Sequence, residues 1–160
     1  MATPFPFSAG SVLTAADMNA TADVPRVLVY RATSQSLTSS TYNQINFDAE
    51  AYDSHAMHDT VTNNQRLTVP TGWGGYYHIF WGGVMQSGTA QGSVFVNGGG
   101  TPTIYGDGGA DRFSTSAVLA LSAGDYVDLR VYPSSSVLIY GNSAIGGYSP
   151  YFGAIWLAPS

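Results

Sequence analysis

An all-β sandwich, jelly roll or barrel is the fold class that three observations predict for this chain. Short β-branched and aromatic runs follow one another from Pro25 onward, Gly-, Asn- and Ser-rich turns separate them, and no segment there carries apolar residues at helical spacing over ten or more positions. At 160 residues the chain has the size of one domain. A domain of this size removes about 70% of its unfolded surface from water, so a full core forms without covalent staples.

The elements read as follows. Residues 1–24 form an arm: Pro4 and Pro6 flank Phe5 and Phe7, and Leu13 to Ala20 has room for one or two helical turns with Thr14 as N-cap. Phe5, Phe7, Val12 and Leu13 are apolar groups that such an arm would bury on a neighbour, so docking or inter-subunit contact is its expected role. Residues 25–160 form the body. Strands are expected at Arg26–Arg31, Tyr42–Phe47, Arg66–Val69 (stopped by Pro70), Gly75–Met85, Ser93–Asn97, Ser114–Leu121, Tyr126–Tyr132, Val137–Tyr140 and Tyr151–Leu157. Asn97-Gly98-Gly99-Gly100 supplies the positive φ angles of a tight connection, and Ser122-Ala123-Gly124-Asp125 reads as a hairpin loop.

The strand from Gly75 is the most informative. Alternation sends Tyr76, His78 and Phe80 to one side and Tyr77, Ile79 and Trp81 to the other, and both sides are apolar. A strand apolar on both faces is buried on both, which a sandwich provides in part and a subunit interface completes. Tyr77, Ile79 and Trp81, with Tyr151 and Ile155 of the last strand, are the expected contacts of that subunit interface. The alternative use of exposed aromatics is stacking on sugars, for which Tyr105, Tyr140, Tyr148 and Tyr151 are further candidates.

Composition excludes several function classes. Net charge is −5, and the five cationic residues are all arginines spread singly along the chain, which makes nucleic acid a poor partner. The absence of cysteine removes disulfides, thiolate metal sites and thiol nucleophiles. No apolar stretch reaches the length of a membrane span, and the first twenty residues lack the basic and apolar regions of a signal peptide. The expectation is therefore assembly in the cytoplasm and release by lysis. Only 9% of residues are charged, as suits a surface covered by other chains or kept wet by neutral polar groups.

Asp48, Glu50, Asp53, His55, His58 and Asp59 form the densest polar cluster. Bonding to backbone and neighbours in a long loop is the first reading; calcium held by Asp48, Glu50, Asp53 and Asp59 is the second, although the spacing is not that of an EF-hand. Zinc at His55 and His58 has no fixed geometry on a loop. No Gly-x-Ser-x-Gly elbow occurs, His78 lies inside an aromatic strand, and no carboxylate spacing suggests a glycosidase. No catalytic residue and no cofactor is expected.

Three blocks resemble the C1q/TNF-like superfamily, in particular the C1q-like domains of bacteriophage virion proteins. The first runs through Ile45-Asn46-Phe47-Asp48, Tyr52-Asp53, Met57-His58-Asp59, Arg66-Leu67-Thr68-Val69-Pro70 and Gly75-Tyr76. The second is Ser116 to Leu129 with its Gly124-Asp125 loop, and the third is Tyr151-Phe152-Gly153-Ala154-Ile155-Trp156-Leu157. Residues Phe7 to Asn19 also resemble a short leader at the start of many phage tail-fibre and other virion proteins. The resemblance implies a two-sheet antiparallel jelly-roll sandwich, a homotrimer, and a non-enzymatic virion protein of the tail tip or fibre. Its arm would meet other virion proteins and its body a host-surface glycan or protein. A capsid decoration protein is the alternative, and a glycan-acting enzyme a distant third.

Overall fold

The computed structural model describes residue 14, residues 23–106 and residues 108–160. In chain order the described elements are β1 (Arg26–Tyr30), β2 (Gln35–Leu37), β3 (Asn43–Gln44), β4 (Ala49–Asp53), β5 (Arg66–Thr68), β6 (Gly75–Val84), β7 (Ala90–Val96), β8 (Arg112–Leu121), β9 (Tyr126–Pro133), β10 (Val137–Ile139), α1 (Asn142–Ile145) and β11 (Tyr151–Ala158). All the strand pairs are antiparallel.

A five-stranded sheet has the order β4-β1-β11-β6-β8. The second layer is built on β9, which pairs β7 along one edge and β5 and β3 in succession along the other: Asp128 lies opposite both Phe95 and Arg66, and Val131 opposite both Gly92 and Asn43. The short β10-β2 pair is a separate two-stranded sheet, tied to the end of β6 by the Met85–Ile139 bridge and the Tyr140 N–H to Val84 carbonyl bond. The first and last long strands are neighbours in the middle of one sheet, as a jelly roll requires and a simple meander forbids.

Between the layers lies one continuous core. Val27 and Val29 of β1, Tyr77, Ile79 and Trp81 of β6, and Phe152, Ala154 and Trp156 of β11 meet Val94, Val127, Leu129 and Val131 of the opposite sheet. Trp81 has the largest of the fully buried side chains, and its indole N–H donates to the Gly92 carbonyl of β7 at 2.9 Å. One residue thus supplies apolar area and a hydrogen bond across the sandwich. Burial also pushes the Tyr77 phenol well above its ordinary value, while its hydroxyl donates to the Trp73 carbonyl at 2.8 Å.

Three local expectations are revised. The strand expected at Tyr42–Phe47 is a ladder only at Asn43–Gln44; Ile45 and Phe47 then drop into the core, fully buried. Polar Gln35–Leu37 and acidic Ala49–Asp53 are strands because β10 and β1 offer them edges, a tertiary effect that outweighs their weak β propensity. Residues 142–145 form one helical turn with no buried residue.

Trp81→Ala is expected to cost about 3–5 kcal/mol, because it opens a cavity and strands the Gly92 carbonyl. Trp81→Phe, which keeps much of the area but no donor, should fall between. Urea denaturation followed by tyrosine and tryptophan fluorescence checks the order.

Candidate functional site

Alternation divides the long strand β6. Tyr77, Ile79 and Trp81 have no exposed surface, whereas Tyr76 is 45% exposed and His78 and Phe80 are half-buried on the outer face. The assignment of Tyr77, Ile79 and Trp81 to a subunit interface is therefore corrected: the second sheet already covers them. The opposite set remains available to a partner. Tyr151 and Ile155 lie on that outer face too, partly buried.

Register builds the face in rows. Arg26, Ile155, His78 and Val118 form one row across β1, β11, β6 and β8. Leu28, Gly153, Phe80 and Ser116 form the next, with Tyr52 of β4 opposite Leu28; Tyr30, Tyr151, Gly82 and Ser114 form a third. Tyr52, Tyr76, Leu157 and Val118 are 41–55% exposed here, so the apolar surface is contiguous rather than scattered. Tyr148 extends it, its ring 4.7 Å from that of Tyr30.

Two glycines flatten the face. A Cβ on Gly153 would sit 2.3 Å from the Phe80 ring, and one on Gly82 would sit 2.7 Å from the Tyr151 hydroxyl. Phe80 and Tyr151 therefore lie down over bare backbone, their ring centroids 6.5 Å apart. A flat aromatic surface suits close contact with another protein face.

The outer face of the second sheet is different in kind. It presents Gln44, Arg66, Thr68, Gln91 and Arg130. The carboxylate of Asp128, fully buried, accepts from Arg130 Nε at 2.5 Å and Nη2 at 3.0 Å, and the guanidinium lies 4.0 Å over the Phe95 ring. Tyr42 packs edge-on against Phe95 and Tyr132, and burial, reinforced by the nearby Tyr105 phenol, raises its hydroxyl above the ordinary value. Tyr105 and Tyr132 remain exposed, so this side offers stacking surface to solvent.

The acidic cluster does not converge. Asp48 accepts from the Ala32 N–H at 2.6 Å, and Asp53 from the His55 and His58 N–H groups at 3.1 and 2.9 Å. Asp59 accepts from Val61 and Thr62, and the Thr62 and Val61 N–H groups hold its carboxyl below the usual range. Glu50 Oε1 lies 2.9 Å from Nδ1 of His58, whose buried ring places Nε2 3.1 Å from the Asn64 carbonyl. A carbonyl only accepts, so Nε2 carries a proton. Among the described residues no three His, Asp or Glu side chains come together as a metal site. The calcium reading of Asp48, Glu50, Asp53 and Asp59 thus gives way to local bonding: Asp48 and Asp59 each hold backbone N–H groups, while Glu50 and Asp53 of β4 both engage His58.

One contact escaped the sequence: Ser54 Oγ lies 2.9 Å from His55 Nδ1. The same hydroxyl accepts from the Arg26 N–H and reaches the Val24 and Arg26 carbonyls, so it clips the end of β4 to the start of β1. Adjacency in sequence was its only signal. The arm residues Phe5, Phe7, Val12 and Leu13 lie outside the described residues.

No protein-family model matches the sequence, and no curated protein matches it in sequence. Solved structures do match in fold. Murine APRIL superposes with a TM-score of 0.61 at 12% identity, over 83% of this chain and 98% of that one. The globular domain of the zebrafish complement 1qA protein gives 0.59 at 14% identity, over 85% and 99%. The Eiger TNF of S. frugiperda gives 0.59 at 11%, over 86% and 95%. The class is therefore plain: this chain has the C1q/TNF-like jelly-roll fold. At these identities the likeness is one of architecture.

Because each loop carboxylate is already engaged, millimolar Ca²⁺ or EDTA is expected to leave the melting temperature unchanged. A rise with Ca²⁺, as a ligand specific to the native state must produce, would restore the metal reading.

Proposed function

We propose that this chain is a non-enzymatic, homotrimeric virion protein of the tail tip or fibre that recognises a host surface. The observation that carries the proposal is the flat apolar outer face of the five-stranded sheet. Water contact with Tyr76, Val118, Leu157 and Tyr52 is unfavourable by about 25 cal/mol for each Å² of apolar area, and association removes it. The C1q/TNF-like fold supports three subunits, through the resemblance that carries that expectation. The leader-like text from Phe7 to Asn19, joined to such a body, supports a phage particle as its location.

With the apolar sheets turned inward, the second sheet and its exposed Tyr105 and Tyr132 would face outward in three copies. A weak contact made three times gains avidity without any new interaction.

The assembly reading is tested by native mass measurement at micromolar concentration, where a species of three 16.8-kDa chains is expected. Val118→Asp places a carboxylate in the apolar face and should weaken the trimer by about 100-fold or more while the far-UV circular dichroism is kept. Thr68→Asp, on the opposite outer face, should leave it intact. A monomeric wild-type chain would refute the trimer.

Recognition is tested separately with the labelled full chain on host cells. Saturable binding supports it; incorporation into particles without cell binding would point to capsid decoration instead.

A further inference from the structure

We propose that His78 makes the subunit assembly acid-sensitive, because association through the outer face of the five-stranded sheet encloses its imidazole on a surface whose described outward positions on β1, β6, β8 and β11 offer no carboxylate. The inference rests on the trimer reading above and adds its regulation by protons.

The histidines fall into two kinds. His55 faces the Ser54 hydroxyl, and His58 faces Glu50 and the Asn64 carbonyl. His78 has no hydrogen bond or ion pair among the described residues; its ring packs 5.7 Å from that of Phe80. Its lateral neighbours are Ile155 on β11 and Val118 on β8.

The titratable groups on this face are of two types. Tyr76 on β6, Tyr151 on β11, and Tyr30 and Tyr52 on β1 and β4 are neutral phenols. Arg26 on β1 and Arg112 on β8 are cations. Outward positions of β1, β6, β8 and β11 hold no carboxylate. Glu50 and Asp53 of β4 are engaged with His58 and with the backbone of the following loop, and Asp111 sits at the far end beside Arg112.

A neutral imidazole fits such a surface. An imidazolium does not: burial strips its water, the outward positions of β1, β6, β8 and β11 hold no carboxylate to replace it, and Arg26 stands in the same row two strands away. Histidine is the side chain that changes charge between about pH 5 and 8. Separated subunits can take up this proton in solvent and the assembled face resists it. Acid therefore favours separation, and assembly is complete above the histidine range. Each pH unit below it costs about tenfold per subunit, or roughly a thousandfold in the trimer dissociation constant.

Native mass or sedimentation measurements on the full chain at pH 8 and pH 5.5, at fixed ionic strength, test this. The wild type should be trimeric at pH 8 and dissociate at pH 5.5 with its far-UV circular dichroism retained. His78→Phe, which keeps a ring but cannot be protonated, should remain trimeric at both. His78→Gln provides a second uncharged side chain should phenylalanine disturb the contact. A wild type trimeric at both pH values overturns the switch and leaves the trimer standing. A wild type monomeric at pH 8 overturns both. If both variants dissociate in acid like the wild type, the sensitivity lies elsewhere and the assignment to His78 fails.

Discussion

The strand β6 is apolar on both faces, and the rest of this molecule is arranged around that constraint. Its inner residues, Tyr77, Ile79 and Trp81, are sealed by the second sheet, with the Trp81 indole bonded to Gly92 across the gap. Its outer residues have no such cover among the described residues. Instead the neighbouring strands continue the same apolar surface, and Gly153 and Gly82 let Phe80 and Tyr151 lie flat. A sandwich with one unfinished face is the result.

The two outer faces divide the labour. Arginine, glutamine and threonine keep the β9 side wetted, and its single buried carboxylate, Asp128, is neutralised at two points by Arg130. Elsewhere acidic groups act locally. Asp48, Asp53 and Asp59 each hold loop N–H groups, and Glu50 reaches His58. This use of carboxylates at turns leaves the outer face of the five-stranded sheet free of negative charge, which is why its lone histidine has an electrostatic consequence that His55 and His58 do not share.

Long strands with dense β-branched and aromatic content were legible because burial on a pleated sheet selects those side chains directly: β1, β6, β8, β9 and β11 are all visible in the text. β2 and β4 were not, since Gln35–Leu37 and Ala49–Asp53 carry little intrinsic preference and pair only because an edge is offered. The candidate site was half legible. That β6 is apolar twice over is written in its alternation, but the pattern is symmetric and gives no sign of which set meets the second sheet. For that reason alternation alone does not reveal that Tyr77, Ile79 and Trp81 are the set the second sheet covers.

The same distinction separates what each level of description decides. Sequence alone determined the all-β class, the jelly-roll resemblance, the want of cysteine and clustered cations, and the existence of more apolar surface than one sandwich interior can hide. These depend on local periodicity and composition. Tertiary structure decided which face is covered, that Arg26, Ile155, His78 and Val118 share a row, and that the acidic residues bond backbone N–H groups and His58 instead of converging on one point. Those facts depend on register between strands far apart in the chain, and a one-residue change in register would send every side chain to the other face.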